Sequence, residues 1–145
     1  MDYEIVNLKE KTVAGVSART NLNSPEAPKV IGGLWENFYG GVYGLITGKV
    51  NEKCIGLYTD YAENGDYKTM VCCEAANNAQ AAETMTIPEG KYARFVIRGH
   101  IVSAVREFWR NLWKMKLDRS FICDFEEYQG GDMNDMEIHM YISLK

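Results

Sequence analysis

Two kinds of apolar spacing alternate along the chain, and the same alternation occurs twice. From Tyr3 to Asn21 the sequence is rich in β-branched and alternating residues, which predicts extended strand with a break at Lys9-Glu10-Lys11. After Ser24-Pro25-Glu26 the spacing lengthens. Val30, Ile31, Leu34, Trp35 and Phe38 recur as one stripe of a helix, which Gly40-Gly41 is expected to end. Two strands are predicted near 54–61 and 67–76, joined by a turn at Glu63-Asn64-Gly65-Asp66. A polar stretch, Asn77 to Glu83, reads as a connector.

The order then recurs. Residues 85–98 read as one strand entered through the turn Pro88-Glu89-Gly90. Val102, Val105, Phe108, Trp109 and Leu112 mark a second amphipathic helix. Strands near 121–128 and 136–144 close the chain, with a turn at Gly130-Gly131-Asp132. The halves also match in detail: Val13 to Arg19 against Tyr92 to Arg98, and Leu34 to Tyr39 against Phe108 to Trp113. Ile55 to Tyr61 aligns with Ile122 to Tyr128, and Tyr67 to Ala75 with Met136 to Leu144. Four matches in one order point to an internal duplication. The expected fold is α+β: duplicated β-α-β-β units in an antiparallel sheet of about eight strands, with two helices on one face and a ligand cleft. One domain is expected over residues 1–145, with pseudo-repeats at about 1–76 and 84–145.

Sorting each strand by alternate residues separates two sheet faces. Ile138, Met140, Ile142 and Leu144 form a regular apolar set with Val71, Cys73, Ala75, Ala14, Val16, Ala18, Ala93, Phe95 and Ile97, and should lie under the helices. The opposite face is expected to hold Cys54, Gly56, Tyr58, Met70, Cys72, Glu74, Tyr92, Phe125, Glu137, His139 and Tyr141. Apolar and aromatic area with a few orienting polar groups suits a small-molecule pocket, and the same pattern also fits a half-solvated sheet face. The candidate ligand-binding residues are Glu137, His139, Tyr141, Glu74, Tyr58, Tyr92, Phe125 and Met70. Trp35 joins them as a helix aromatic that packs the core and can still wall a cleft. Glu137 is also the candidate acid or base, since a carboxyl in an apolar cleft resists ionisation unless a cation compensates it.

Composition narrows the chemistry. The 145 residues suit one domain, and 46% hydrophobic content supports a packed core. A formal net charge of −4 without any Lys/Arg run gives nucleic acid nothing to bind directly. No apolar run is long enough to span a bilayer, and the acidic start Met1-Asp2-Tyr3-Glu4 does not read as a signal peptide, so a cytoplasmic location and no membrane partner are expected. Cys54, Cys72, Cys73 and Cys123 form no CxxC pair, and no metal or cofactor is expected. Neither a Gly-x-Ser-x-Gly elbow nor a phosphate loop occurs.

The chain resembles the GyrI-like domains, also called bacterial transcription-activator effector-binding domains, and most of all the stand-alone integron-associated effector-binding proteins. The carrying stretches are Gly15 to Thr20, Leu34 to Phe38, Ile55 to Tyr61, Ile87 to Ala93, Asp124 to Tyr128 and Met136 to Ile142. The resemblance implies a cleft across a pseudo-two-fold axis, lined by aromatics and usually holding an acidic residue of the last strand that receives lipophilic cations. Glu137 is the acidic match; a second register puts His139 there, and Ser143 stands where the family has proline. A stand-alone protein that binds or sequesters lipophilic compounds, cationic ones included, is the first functional expectation. A hydrolase of reactive hydrophobic compounds and a protein-interaction modulator of the gyrase-inhibitor type are the alternatives, the latter with an unknown protein partner. The first family strand begins near Tyr3, so a DNA-binding domain ahead of it is not expected.

Overall fold

Residues with β-branched and alternating side chains form eight strands in the structure, a computed structural model that describes residues 2–76 and 83–145. These are β1 (Glu4–Leu8), β2 (Lys11–Asn21), β3 (Lys49–Thr59), β4 (Asp66–Ala75), β5 (Glu83–Ile87), β6 (Gly90–Gly99), β7 (Cys123–Asp132) and β8 (Asp135–Ser143). They make one antiparallel sheet in the order β1-β6-β8-β7-β3-β4-β2-β5. Helix α1 (Ala27–Asn37) continues through a π-helical turn, Phe38–Val42, into a short α2 (Tyr43–Leu45), and α3 (Ser103–Leu112) follows β6. Pro28 sits in the first turn of α1, where its missing N–H leaves no bond unmade.

The strand order is symmetric. Exchanging each strand of β1–β4 for its counterpart in β5–β8 reproduces the order read backwards, with β3 and β7 meeting at the centre. The two edge strands are exchanged between the halves. β1 pairs with β6 and β5 pairs with β2, so each half completes the other's sheet.

This exchange corrects the single strand expected over 85–98. Pro88 supplies no backbone donor, and the chain leaves β5 at one margin of the sheet to enter β6 near the other. Two further boundaries moved. Gly40-Gly41 does not stop the first helix but lies inside the π turn. Gly130 and Gly131, at φ 97 and 116, serve an irregularity within β7, and the β7–β8 turn falls at Met133-Asn134. The expected connector 77–82 lies outside the described residues.

Burial divides into three clusters. Leu34 and Phe38 of the first helix cover Ala14, Cys54, Val71, Cys73 and Ala75. Phe108 and Leu112 of α3 cover Ala93, Phe95, Ile138, Met140 and Ile142. The helix-free face curls into a third core of Val13, Ile55, Leu57, Met70, Cys72, Ile87, Tyr92, Cys123, Phe125 and Tyr141, with Val6, Leu8 and Met85 packed against it. The exchanged strands β1 and β5 supply Val6, Leu8, Met85 and Ile87, so they close the concave side. The regular apolar set lies under the helices as expected. Cys54, Gly56 and Tyr58 also lie there, because β3 pairs Cys54 with Cys73 and Gly56 with Val71.

Curling the sheet this far brings backbones close. A Cβ at Gly15 would stand 1.9 Å from the Val71 carbonyl oxygen and 2.6 Å from the Cys72 Cα. Backbone atoms cannot step aside as a side-chain tip can. Gly15→Ala is therefore expected to lower stability by about 3 kcal/mol or to prevent folding. Gly41→Ala, where a Cβ meets nothing within 4 Å, serves as the control in urea unfolding and is expected to change little.

Candidate functional site

The two central strands meet in a register that sets Gly56 of β3 opposite Glu126 of β7. The strand order and the β3–β4 and β7–β8 registers are symmetric about this seam, and together they place the Gly56–Glu126 pair on the pseudo-two-fold axis. Tyr58 follows Gly56 by one pleat and Tyr128 follows Glu126 by one pleat, so the registers make the two tyrosines counterparts; this corrects the match of Ile55–Tyr61 with Ile122–Tyr128, which sets Tyr58 against Phe125 on the opposite face. Both donate to a single atom: the Tyr58 hydroxyl reaches Glu126 Oε1 at 3.0 Å and the Tyr128 hydroxyl reaches it at 2.8 Å. Each tyrosine is met edge-on by the tryptophan of one helix. Trp35 stands 5.3 Å from Tyr128 and Trp109 stands 5.3 Å from Tyr58, centroid to centroid. Tyr39 stacks on Trp35 at 5.8 Å and donates to Cys54 Sγ at 3.0 Å.

Glu126 itself is 3% exposed. The space it occupies exists because residue 56 has no side chain: a Cβ there would lie 2.6 Å from Oε1. Burial pushes the carboxyl pKa up to about 7, against hydrogen bonds from Tyr128 and Tyr58 and the neighbouring Trp109 indole. Among the described residues Oε2 is buried without a hydrogen-bond partner. Burial and the adjacent carboxylate likewise hold the Tyr58 and Tyr128 phenols neutral, far above their ordinary range.

One pleat earlier on β7, Asp124 is fully buried, and both its carboxylate oxygens have partners. Its Oδ2 accepts from Arg119 at 2.7 Å and from the Tyr61 hydroxyl at 2.7 Å, and its Oδ1 accepts from the Ser143 backbone N–H at 2.9 Å. The Arg119 guanidinium lies 4.2 Å from the Phe121 ring centroid and 5.2 Å from that of Trp113. This is a carboxylate holding a cation among aromatic rings, built entirely from the chain itself. Glu126 has comparable aromatic surroundings and, among the described residues, no cationic partner.

The residues expected from sequence divide between two faces. Tyr58 and Trp35 belong to the Glu126 cluster. Tyr92, Phe125, Tyr141 and Met70 do not line an open cleft, since the concave face is filled by them. The Phe125 and Tyr141 rings stack at 4.6 Å, and Tyr92 meets Phe125 edge-on at 5.8 Å. Glu74, Glu137 and His139 are half-buried on that same side and carry partners. Glu74 lies 3.7 Å from Lys11, while Glu137 lies 2.8 Å from His139 and 3.7 Å from Arg98. The residues that reading missed are Glu126, Tyr128 and Asp124. The signal for them was Asp124-Phe125-Glu126, two carboxylates sharing one face of a strand that is otherwise core. A separate surface cavity of about 160 Å³ lies beside α3, lined by Ile97, Arg98, Ala104, Glu107, Phe108 and Asn111. None of these residues has an unpartnered buried polar atom, in contrast to Glu126. Among the described residues no helix is long and apolar enough to cross a membrane, and no group of His, Cys, Asp and Glu could hold a metal ion.

The family model described as integron-associated effector binding protein matches residues 4–144. A solved integron cassette protein of Vibrio cholerae is 25% identical with a TM-score of 0.75, covering 97% of this chain and 95% of its own. The structure of SAV2435 bound to tetraphenylphosphonium is 21% identical with a TM-score of 0.74, covering 99% and 94%. The EcmrR C-terminal domain shares the fold at 16% identity and a TM-score of 0.62, covering 100% and 99%. A search of the curated proteins finds no match.

Two stability measurements follow from the two carboxyl groups. Arg119→Ala leaves Asp124 buried without its cation and is expected to cost about 3–5 kcal/mol in urea unfolding. Lys145→Ala, which removes an exposed ion pair to Asp118, should change almost nothing. Glu126 has a folded-state pKa above its ordinary value of 4.5, so its stabilisation is complete below pH 4.5 and is lost as pH rises through about 7. Glu126→Gln, which cannot ionise, is therefore expected to gain on the wild type by up to about 3 kcal/mol between pH 4.5 and 8.5. A pH-independent difference between the two proteins would contradict the buried, poised carboxyl.

Proposed function

We propose that this chain, which belongs to the integron-associated effector-binding protein family, binds a lipophilic cation at the β3–β7 seam with Glu126 as its counter-ion. Trp35, Tyr39, Tyr58, Trp109 and Tyr128 are the apolar walls in this reading. The observation that carries it is a buried carboxyl oxygen without a partner, next to a buried aspartate that already has one. Removing a compact, strongly hydrated cation from water costs more than a buried carboxylate returns. A cation whose charge is spread under aryl or alkyl groups loses little hydration and gains area against the rings. The aromatic side chains cover Glu126, so entry of a guest requires them to turn aside. Tetraphenylphosphonium bound to SAV2435 agrees with this chemistry.

Proton and guest compete for the same carboxyl. Below about pH 7 the free site holds a proton, and a permanent cation must displace it. Affinity for tetraphenylphosphonium is therefore expected to fall about tenfold for each pH unit below 7 and to level off above it. Glu126→Gln should weaken cation binding by at least about tenfold and flatten the profile, with binding of neutral triphenylphosphine oxide little changed. Isothermal titration between pH 5 and 9 measures both effects. A Glu126→Gln protein that binds the phosphonium as well as the wild type does would sink the proposal.

The same poised carboxyl, beside two phenols, is also chemically suited to act as a general acid or base on a bound electrophile. Mass analysis of each titration mixture separates the two readings. Guest recovered unchanged supports binding, and conversion beyond one equivalent supports a hydrolase.

A further inference from the structure

The Glu126 cluster repeats itself on either side of the axis. At one end of the seam stand Tyr128 and Trp35, at the other Tyr58 and Trp109, with the same 5.3 Å edge-on spacing in both pairs. The two pairs come from both halves of the chain, since each tyrosine is met by the tryptophan of the other half's helix. Midway between them lies the one carboxyl, reached by both phenols at its Oε1 atom. The halves thus present two tyrosine–tryptophan pairs of like spacing about one carboxyl, with Tyr39 stacked in addition on the Trp35 side.

We infer that the site selects cations carrying two aryl arms on opposite sides of a central positive charge, one arm for each tyrosine–tryptophan pair. This rests on the counter-ion reading of Glu126 and adds the shape of the guest. A ligand with one arm fills either seat but never both, and leaves the other aromatic pair without a partner. A ligand whose charge sits at one end places that charge away from the axis when both seats are used. The buried, unpartnered Oε2 atom at the axis independently marks the place where the positive centre belongs.

Two permanent cations separate the possibilities: dibenzyldimethylammonium with two arms and benzyltrimethylammonium with one. Burying the second ring is expected to tighten binding by at least about tenfold. Trp35→Leu and Trp109→Leu should each weaken the two-armed probe by about tenfold, equal to within about threefold. For the one-armed probe each variant should cost only about twofold, because a second equivalent seat remains. Circular dichroism and thermal melting verify the fold of each variant. Trp35→Phe and Trp109→Phe, which keep a smaller ring, are read for the same equality if either leucine variant unfolds. Equal affinity for the two probes, or loss on one side only, overturns the two-seat arrangement while leaving Glu126 as counter-ion. Failure of both probes and of tetraphenylphosphonium to bind the wild type overturns the counter-ion reading and this inference together.

Discussion

A carboxyl group held out of water at the centre of an eight-stranded sheet is the constraint that organises its surroundings. Ionised and alone it would be too costly to keep there, and simply neutral it would hold nothing. The chain settles between these limits by giving one oxygen two phenolic donors and leaving the other oxygen bare. Each supporting feature then has a reason. Gly56 clears the space across the seam, and Tyr58 and Tyr128 fix the carboxyl's direction from both sides. The helices deliver Trp35 and Trp109 to close the sides against water. The curled concave core, sealed by exchanged strands, holds the seam from beneath.

Asp124 and Glu126 share a strand face and show what a cation changes. Asp124 receives its own cation when the segment after α3 folds back, with Arg119 placed against Trp113 and Phe121 and bridged to Leu144. Phe121 adopts a φ of 56° in doing so, a conformation that is uncommon for a bulky residue and needs compensating contacts. One carboxylate is thus completed internally, while the next keeps an oxygen without a partner among the described residues. The cost of keeping Glu126 incomplete falls on the stability of the free protein; in the proposed reading a guest of the right charge relieves it.

Much of this arrangement is legible along the chain. The duplicated order of elements, the helix stripes ending in Phe38 and Leu112, and the apolar rows of β4 and β8 follow from spacing alone. Position within the sheet does not. A period of two sorts Tyr58 from Leu57, but only the β3–β4 and β3–β7 registers reveal that Tyr58 lies beneath a helix. Phe125 and Tyr141 look like pocket aromatics until the sheet curls and stacks them on each other. Glu126 resembles any strand carboxylate in sequence, because its burial depends on Gly56, seventy residues earlier. The passage from Ile87 to Gly90 is hidden for a related reason. Alternation continues across Pro88 while the chain changes neighbours.

Strand exchange between the halves has a consequence for how such a site can arise. A half-chain alone would expose the margins that β1 and β5 occupy, and pairing with a second copy would satisfy them. In that symmetric dimer the residue on the axis always faces its own copy. Two glycines would leave the centre without charge, and two glutamates would set like charges against each other. A single covalent chain escapes this rule, since each side of the axis is encoded separately. The solitary acid facing a glycine is thus a form of asymmetry open to a fused duplicate and closed to a homodimer.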